Sequence, residues 1–317
     1  MRSNNVAAAD LRIQERQKPL LSRIIKCRYL YLLLLPGLLY FIVFKYTPMW
    51  MLVIAFQRYS PFVGVLGSEW VGFDNFRSLF HDMQFYRMLR NTLSINLLNL
   101  VFYFPLPILL SLMLNEVRHE RYKKSLQTIV YLPHFLSWVI VSSLTFFLLS
   151  VDVGIVNKIL RAMNLPTYSF LSKPQLFWGI LVGQTIWKET GWSSIIFLAA
   201  ISGVDVQQYE AATIDGASRM QRIWHITLPA IRPTILTMLI LRLGNIADVG
   251  FEQVLLMMNS MVSDVAEVFD TYSYRIGIQA GDVSFGTAVS MFKGLVGLVF
   301  VYVSNTIVKK TGGEGIY

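Results

Sequence analysis

The sequence predicts an all-α integral membrane protein with six transmembrane helices and both termini in the cytoplasm. Three observations carry that expectation. Hydrophobic residues make up 54% and charged residues 15% of the 317-residue chain, whereas a soluble domain carries about a quarter charged residues. The apolar residues gather in runs of about twenty, the length that crosses hydrocarbon as a helix. With six spans, sixteen of the 28 basic residues fall on the side of the termini and nine on the other, the bias that marks the cytoplasmic face.

The net charge of +9 therefore reads mostly as topology, and no aromatic–basic interleaving supports nucleic-acid binding. A single cysteine, Cys27, excludes internal disulfides and cysteine-based metal clusters. The four histidines (His81, His119, His134, His225) lack metal-ligand spacing.

Residues 1–28 are polar and basic and form an expected cytoplasmic tail, with residues 29–308 as the six-span domain and 309–317 as a second cytoplasmic tail. The first span starts at Tyr29 and runs to Phe44. Lys45 and Pro48 then leave two options, a long tilted helix with a snorkelling lysine or a break near Pro48, and one long span with an irregular outer end is preferred. Residues 57–90, rich in Pro, Gly and aromatics, suit an ordered outer loop with short interfacial helices. The second span, Thr92 to Leu114, contains Pro105 and Pro107, which are tolerated where neighbours cover the freed carbonyls. A basic turn at Asn115–Lys124 precedes the third span, Ser125 to Leu149. The fourth, Gln175 to Ile201, carries Trp187-Lys-Glu-Thr-Gly-Trp192 in its middle. The fifth, Thr234 to Met258, holds Arg242, Asn245, Asp248, Glu252 and Gln253; the sixth, Phe285 to Val308, holds Lys293.

Between the fourth and fifth spans lies a polar island, residues 203–233. Asp205-Val-Gln-Gln208 and Ser218-Arg-Met-Gln221 both fit capping boxes. They predict a first helix ending near Ile214, a turn at Asp215-Gly216 with glycine at positive φ, and a second helix stopping before Pro229. Met220, Ile223, Trp224 and Thr227 recur at helical spacing as one apolar face, and Val206, Tyr209 and Ala212 or Thr213 as another. Such a pair could rest on lipid headgroups, which would favour a basic polar face. Here Asp205, Glu210 and Asp215 mix with Arg219 and Arg222, which suits a protein partner better.

Glu210-Ala-Ala-Thr-Ile-Asp-Gly-Ala217, ending Ile226-Thr-Leu-Pro229, resembles the EAA loop of binding-protein-dependent ABC importer permeases. Trp70-Val-Gly-Phe-Asp-Asn-Phe76, Asn91-Thr92, Leu114-Asn-Glu116, Tyr131-Leu-Pro-His-Phe135, Gly191-Trp192 and Phe269-Asp-Thr-Tyr272 extend the resemblance to the polysaccharide and oligosaccharide type. It covers all but the first 25 or so residues. The resemblance implies a type I ABC importer permease fold. It also implies a second homologous permease subunit, two ATP-binding subunits below, and an extracytoplasmic solute-binding protein delivering a saccharide from above. By that resemblance Glu210, Ala211, Asp215, Gly216, Ala217 and Pro229 are the ATPase-coupling positions. ATP and magnesium would sit in the partner subunits: no Gly-x-x-x-x-Gly-Lys-Ser/Thr segment occurs in this sequence, and no cofactor of its own is expected.

Charged groups inside spans are functional candidates because burying them in lipid is costly. One reading is a wet substrate path lined by Gln184, Trp187, Lys188, Trp192, Asn245, Asp248 and Gln253, aromatics facing sugar rings and polar groups facing hydroxyls. The other is that the charges tie helices together. Lys188 and Glu189, about 100° apart on a helix, are expected to pair with Arg242, Asp248, Glu252 or Lys293 rather than with each other. A uronate-bearing saccharide would suit the bases, although acids are equally present. The rival functions are an ABC permease for amino acids, phosphate or metals, and a lone secondary transporter, against which the absence of an evident internal repeat argues. No nucleophile–base pairing suggests an enzyme.

Overall fold

The computed structural model describes residues 26–310, so the expected tails at 1–28 and 309–317 lie almost wholly outside the described residues. It divides into two units, one through Val53 and one from Ile54 onward. The principal helices are α1 (Arg28–Phe56), α2 (Met83–Asn115), α3 (Glu120–Phe135), α4 (Trp138–Leu149) and α5 (Pro174–Ser202). They continue with α6 (Val206–Ile214), α7 (Arg219–Gly244), α8 (Phe251–Met257), α9 (Phe269–Tyr274) and α10 (Val283–Lys310).

Among the described residues α1, α2, α7 and α10 are long and apolar enough to cross a membrane, and the bent pair α3–α4 makes a fifth candidate. The expected fourth span is the 29-residue α5, long enough at about 1.5 Å per residue to cross. The polar centre of α5 keeps it out of the strictly apolar set.

Three prolines shape the long helices. Before Pro48, Pro105 and Pro229 the helix widens into a π turn, at Ile42–Tyr46, Asn99–Tyr103 and Ile223–Thr227. In each, the residue preceding proline donates its N–H five residues back: Thr47 to Ile42, Phe104 to Asn99, Leu228 to Ile223. Proline has no N–H, and its ring collides with the carbonyl four residues earlier; one extra residue in the turn moves that carbonyl aside. The helix therefore passes through Pro48, as preferred from sequence. It also passes through Pro229, where a stop was expected. Consequently the second helix of the polar island and the fifth span are one rod, α7.

Two expected spans are not straight. The third bends by 99° between α3 and α4. Pro133 sits in a 3-10 turn, Leu136 is extended, and Ser137 restarts the helix by accepting from the Ile140 N–H. The fifth ends at Gly244 rather than Met258. Gly250, at φ 100°, turns the chain into α8, and the Asp248 carboxylate accepts from the Gly250 N–H at 3.1 Å.

The second unit opens with a two-stranded ribbon, β1 (Gln57–Arg58) against β2 (Glu69–Trp70), Gln57 opposite Trp70. Trp70 stacks on Phe56, Phe73 and Phe76 pack on the same ring, and Asn75 donates to the carbonyls of Ala55 and Gln57. The aromatic segment Trp70–Phe76 thus closes this loop on itself. Asn91, fully buried, donates to the carbonyls of Asp264 and Glu267 and pins the segment before α9 against α2. Nearby, Tyr272 donates to Asp82; burial, then that carboxylate, push the phenol well above its ordinary range.

α5 is the central helix of this unit. Its buried positions, including Phe177, Leu181, Lys188, Gly191, Ser194 and Ile201, recur every three or four residues and face α2, α3 and the turn at Leu132–Phe135. In lipid there is little hydrophobic gain from burying one more apolar side chain, so close backbone approach carries much of the packing. Gly191 provides it, because a Cβ there would collide with the backbone carbonyl of Val130.

Gly191→Ala should therefore lower the thermal unfolding midpoint of the detergent-purified chain, by an overpacking cost of about 1–3 kcal/mol. Gly179→Ala, whose Cβ would meet nothing within 4 Å, should leave the midpoint unchanged. Equal midpoints for the two variants would contradict this contact.

Candidate functional site: the two-helix loop and the polar centre

The loop after α5 is built by local chemistry. Asp205 caps α6, accepting from the Gln207 N–H at 2.9 Å. α6 closes with a Schellman pattern: Ala217 N–H to Ala212 O at 2.9 Å and Gly216 N–H to Thr213 O at 3.1 Å. Gly216 lies at φ 76° with nothing near where a Cβ would be, so backbone conformation rather than crowding calls for glycine. Ser218 and Gln221 then form the full reciprocal capping box that opens α7.

Two side-chain bonds lock the joint: Tyr209 Oη with Thr227 Oγ1 at 2.9 Å, and Arg222 donating to Thr213 Oγ1 at 2.9 Å. Ile223 and Leu228 pack on a cluster of Leu112, Ile201 and Ile231, which seats the loop on α2, α5 and α7. The expected apolar face of α7 therefore divides. Ile223 and Thr227 turn inward, while Met220 and Trp224 are each 62% exposed, Val206 64% and Ile214 86%. Glu210, Ala211, Asp215, Gly216 and Pro229 are all exposed and Ala217 is half-buried. Among the described residues Glu210 and Asp215 make no ion pair.

The seven path candidates fall into three groups. Lys188, only 6% exposed, donates to the His134 carbonyl at 2.5 Å and lies 3.5 Å from Glu189. Glu189 in turn meets His134 Nδ1 at 2.7 Å, and the His134 ring stacks on Trp192 at 4.5 Å. Contrary to the expectation from helical spacing, Lys188 and Glu189 thus pair with each other and with His134. The bend after α3 delivers His134 to the middle of α5, and two long side chains bridge the angle between their Cα positions.

In the second group, Gln253 on α8 donates to Gln184 Oε1 at 3.0 Å and to the Leu181 carbonyl at 2.8 Å; Gln184 donates to Thr145 at 2.7 Å. These amides are buried and join α4, α5 and α8. Trp187, half exposed, lines a mostly apolar cavity of about 440 Å³ beside Val141, Leu144 and Gln184.

The third group lies at the break after α7. Lys293 contacts both Asp270 oxygens, at 2.6 and 2.8 Å, and Asp248 at 3.3 Å. Asn245, Asp248 and Lys293 line a cavity of about 460 Å³ whose walls include Gly244, Gly294 and Gly297. Asn96 donates to the Ile246 carbonyl at 2.8 Å and fixes the break to α2. Sequence reasoning gave no role to His134, Thr145, Asn96 or Asp270. His134 and Asp270 carried a signal, since both lie in stretches that resemble the family, Tyr131–Phe135 and Phe269–Tyr272; Thr145 and Asn96 carried none.

Residues 104–310 match the family model described as binding-protein-dependent transport system inner membrane component. The chain is 53% identical over 290 residues to the protein LplB of Bacillus subtilis strain 168, covering 92% of this chain and 91% of LplB. It is 51% identical over 304 residues to the polygalacturonan/rhamnogalacturonan transport system permease protein YteP of the same organism, covering 96% and 95%. A solved bacterial alginate ABC transporter, in complex with an alginate pentasaccharide-bound periplasmic protein, contains a chain with a TM-score of 0.86 and 42% identity. That likeness covers 94% of this chain and all of the other. The loop, the broken helices and the membrane-length rods thus belong to a known architecture, and the chain is a member of the binding-protein-dependent transport system inner membrane component family.

Proposed function

We propose that this chain is a permease subunit of an ATP-driven importer in a bacterial inner membrane, and that its cargo is an acidic oligosaccharide or polysaccharide. The observation that carries the cargo is near-full-length similarity to two transport proteins whose names specify polygalacturonan or alginate. Both polymers are chains of uronic acids.

In this reading the chain crosses the membrane six times, as α1, α2, the bent α3–α4 pair, α5, α7 and α10, with both termini in the cytoplasm. The distribution of basic residues supports that orientation. A second permease subunit completes the path, a solute-binding protein delivers cargo, and two ATP-binding subunits dock on the exposed surface of α6 and the start of α7. The exposed Ile214, Met220 and Trp224, beside Glu210 and Asp215, form a mixed apolar and charged surface suited to a protein cleft. ATPase closure would move that surface, and α5 and α7 would carry the motion to the polar centre as rigid bodies. Gln184, Trp187, Lys188, Trp192, Asn245, Asp248 and Gln253 are then the path residues, some facing cargo and some holding the helices that do.

Three outcomes test this reading. The assembled transporter in proteoliposomes should take up galacturonate oligomers only with ATP; uptake by the purified chain alone, without ATP, would defeat it. Gly216→Pro should insert normally yet lose the bound ATPase, because positive φ is closed to proline, and Glu210→Lys should do the same by reversing a surface charge. Gly216→Asn, which tolerates that φ, should keep it; wild-type uptake by the proline and lysine variants would remove the coupling assignment. Trp187→Ala should slow uptake by up to about tenfold, the loss of one aromatic contact worth roughly 1 kcal/mol. Unchanged uptake would assign Trp187 to packing.

A further inference from the structure

Three cations lie inside the spans expected from sequence: Lys188, Arg242 and Lys293. Lys188 is matched by Glu189 and Lys293 by Asp270 and Asp248, each within ion-pair distance. Arg242 is different. It is half-buried in the last turn of α7, two residues before the chain breaks at Gly244. Among the described residues its guanidinium has no carboxylate within 4.0 Å and makes no hydrogen bond; its near neighbour is the Tyr103 ring, 5.5 Å from Cζ to the ring centre.

The acids that act on Arg242 from farther off are both engaged elsewhere. Glu189 is held by Lys188 and His134, and Asp248 by Lys293 and the Gly250 N–H. Tyr103, whose hydroxyl bonds Ser193 at 2.7 Å, supports the guanidinium by its ring without spending any of the N–H donors. A guanidinium presents five donors in a planar fork that matches a carboxylate with two parallel hydrogen bonds. Withdrawing it from water and leaving those donors unused is costly unless an anion meets it during function.

We infer that Arg242 is the specificity-determining cation of the translocation path, receiving a uronate carboxylate of the cargo in its free fork while Tyr103 holds its opposite side. The inference rests on the acidic-saccharide reading above and names the residue that would enforce it. Lysine, a point charge, would reproduce the attraction but not the two-pronged geometry.

The test uses the complete transporter in proteoliposomes, with trigalacturonate and its carboxyl-reduced neutral counterpart as probes. Arg242→Gln should lower uptake of trigalacturonate by about tenfold to a hundredfold, the range produced by losing a charged hydrogen-bonding partner. Uptake of the reduced trisaccharide relative to trigalacturonate should rise, and Arg242→Lys should recover part of the trigalacturonate rate. Equal loss on both probes, no loss on either, or failure of the glutamine variant to co-elute with its partner subunits would overturn the inference; the last result would mean that the second permease subunit supplies the missing carboxylate. If the unaltered transporter takes up only the neutral trisaccharide, the acidic-cargo reading itself fails. If it takes up trigalacturonate and the glutamine variant does so equally well, only the role of Arg242 falls.

Discussion

Inside hydrocarbon every backbone N–H and C=O has to find its partner within the protein, and prolines in three long helices put that requirement under pressure. The answer is the same each time. A π turn directly before Pro48, Pro105 and Pro229 passes the hydrogen bond of the preceding residue to the carbonyl five back. No helix ends at these prolines, and the chain keeps its membrane-length rods. The most consequential case is Pro229, because continuity there makes the second helix of the polar loop and the membrane helix a single body. Tyr209, Arg222, Thr213 and Thr227 then bolt α6 onto it.

The chain breaks its helices elsewhere, and polar side chains gather at those breaks. After α3 the bend brings His134 to Lys188 and Glu189. After α7 the break at Gly244–Gly250 brings Asp248 to Lys293, which also holds Asp270. Irregular backbone at membrane depth is tolerated where protein or a water-filled cavity covers it, and both breaks meet that condition through hydrogen bonds to α5 or to α2. Most of these charges are paired in ways that tie neighbouring segments together. Many of the polar groups therefore hold the fold, as one of the two readings of the intramembrane charges expects.

Much of this was legible beforehand because it follows from nearest-neighbour chemistry. Gly216 makes the expected positive-φ turn and Ser218–Gln221 the expected capping box, while at 205–208 Asp205 caps by accepting from the Gln207 N–H and no reciprocal box with Gln208 forms. The membrane-length helices α1 and α10 follow from apolar run length alone. What failed depended on distant partners. Nothing local indicates that Pro133 would bend a helix by 99° while Pro229 would not stop one; the difference lies in whether a π turn absorbs the proline. Lys188 and Glu189 pair despite their divergent Cα directions because both side chains are long and flexible. His134 could be placed only once that bend was known.

The continuity of α7 also has a mechanical meaning. At 26 residues it is a rod about 39 Å long, with Arg219 at one tip and the Gly244 break at the other. Turned about its loop end by only a tenth of a radian, such a rod carries its far tip about 4 Å, roughly the width of a carboxylate or a water shell. Displacements at the loop smaller than a side chain would be magnified into openings of molecular size beside Asn245 and Asp248. A flexible linker at Pro229 would have absorbed that stroke; the π turn instead keeps the helix continuous there, as it also is through Pro233.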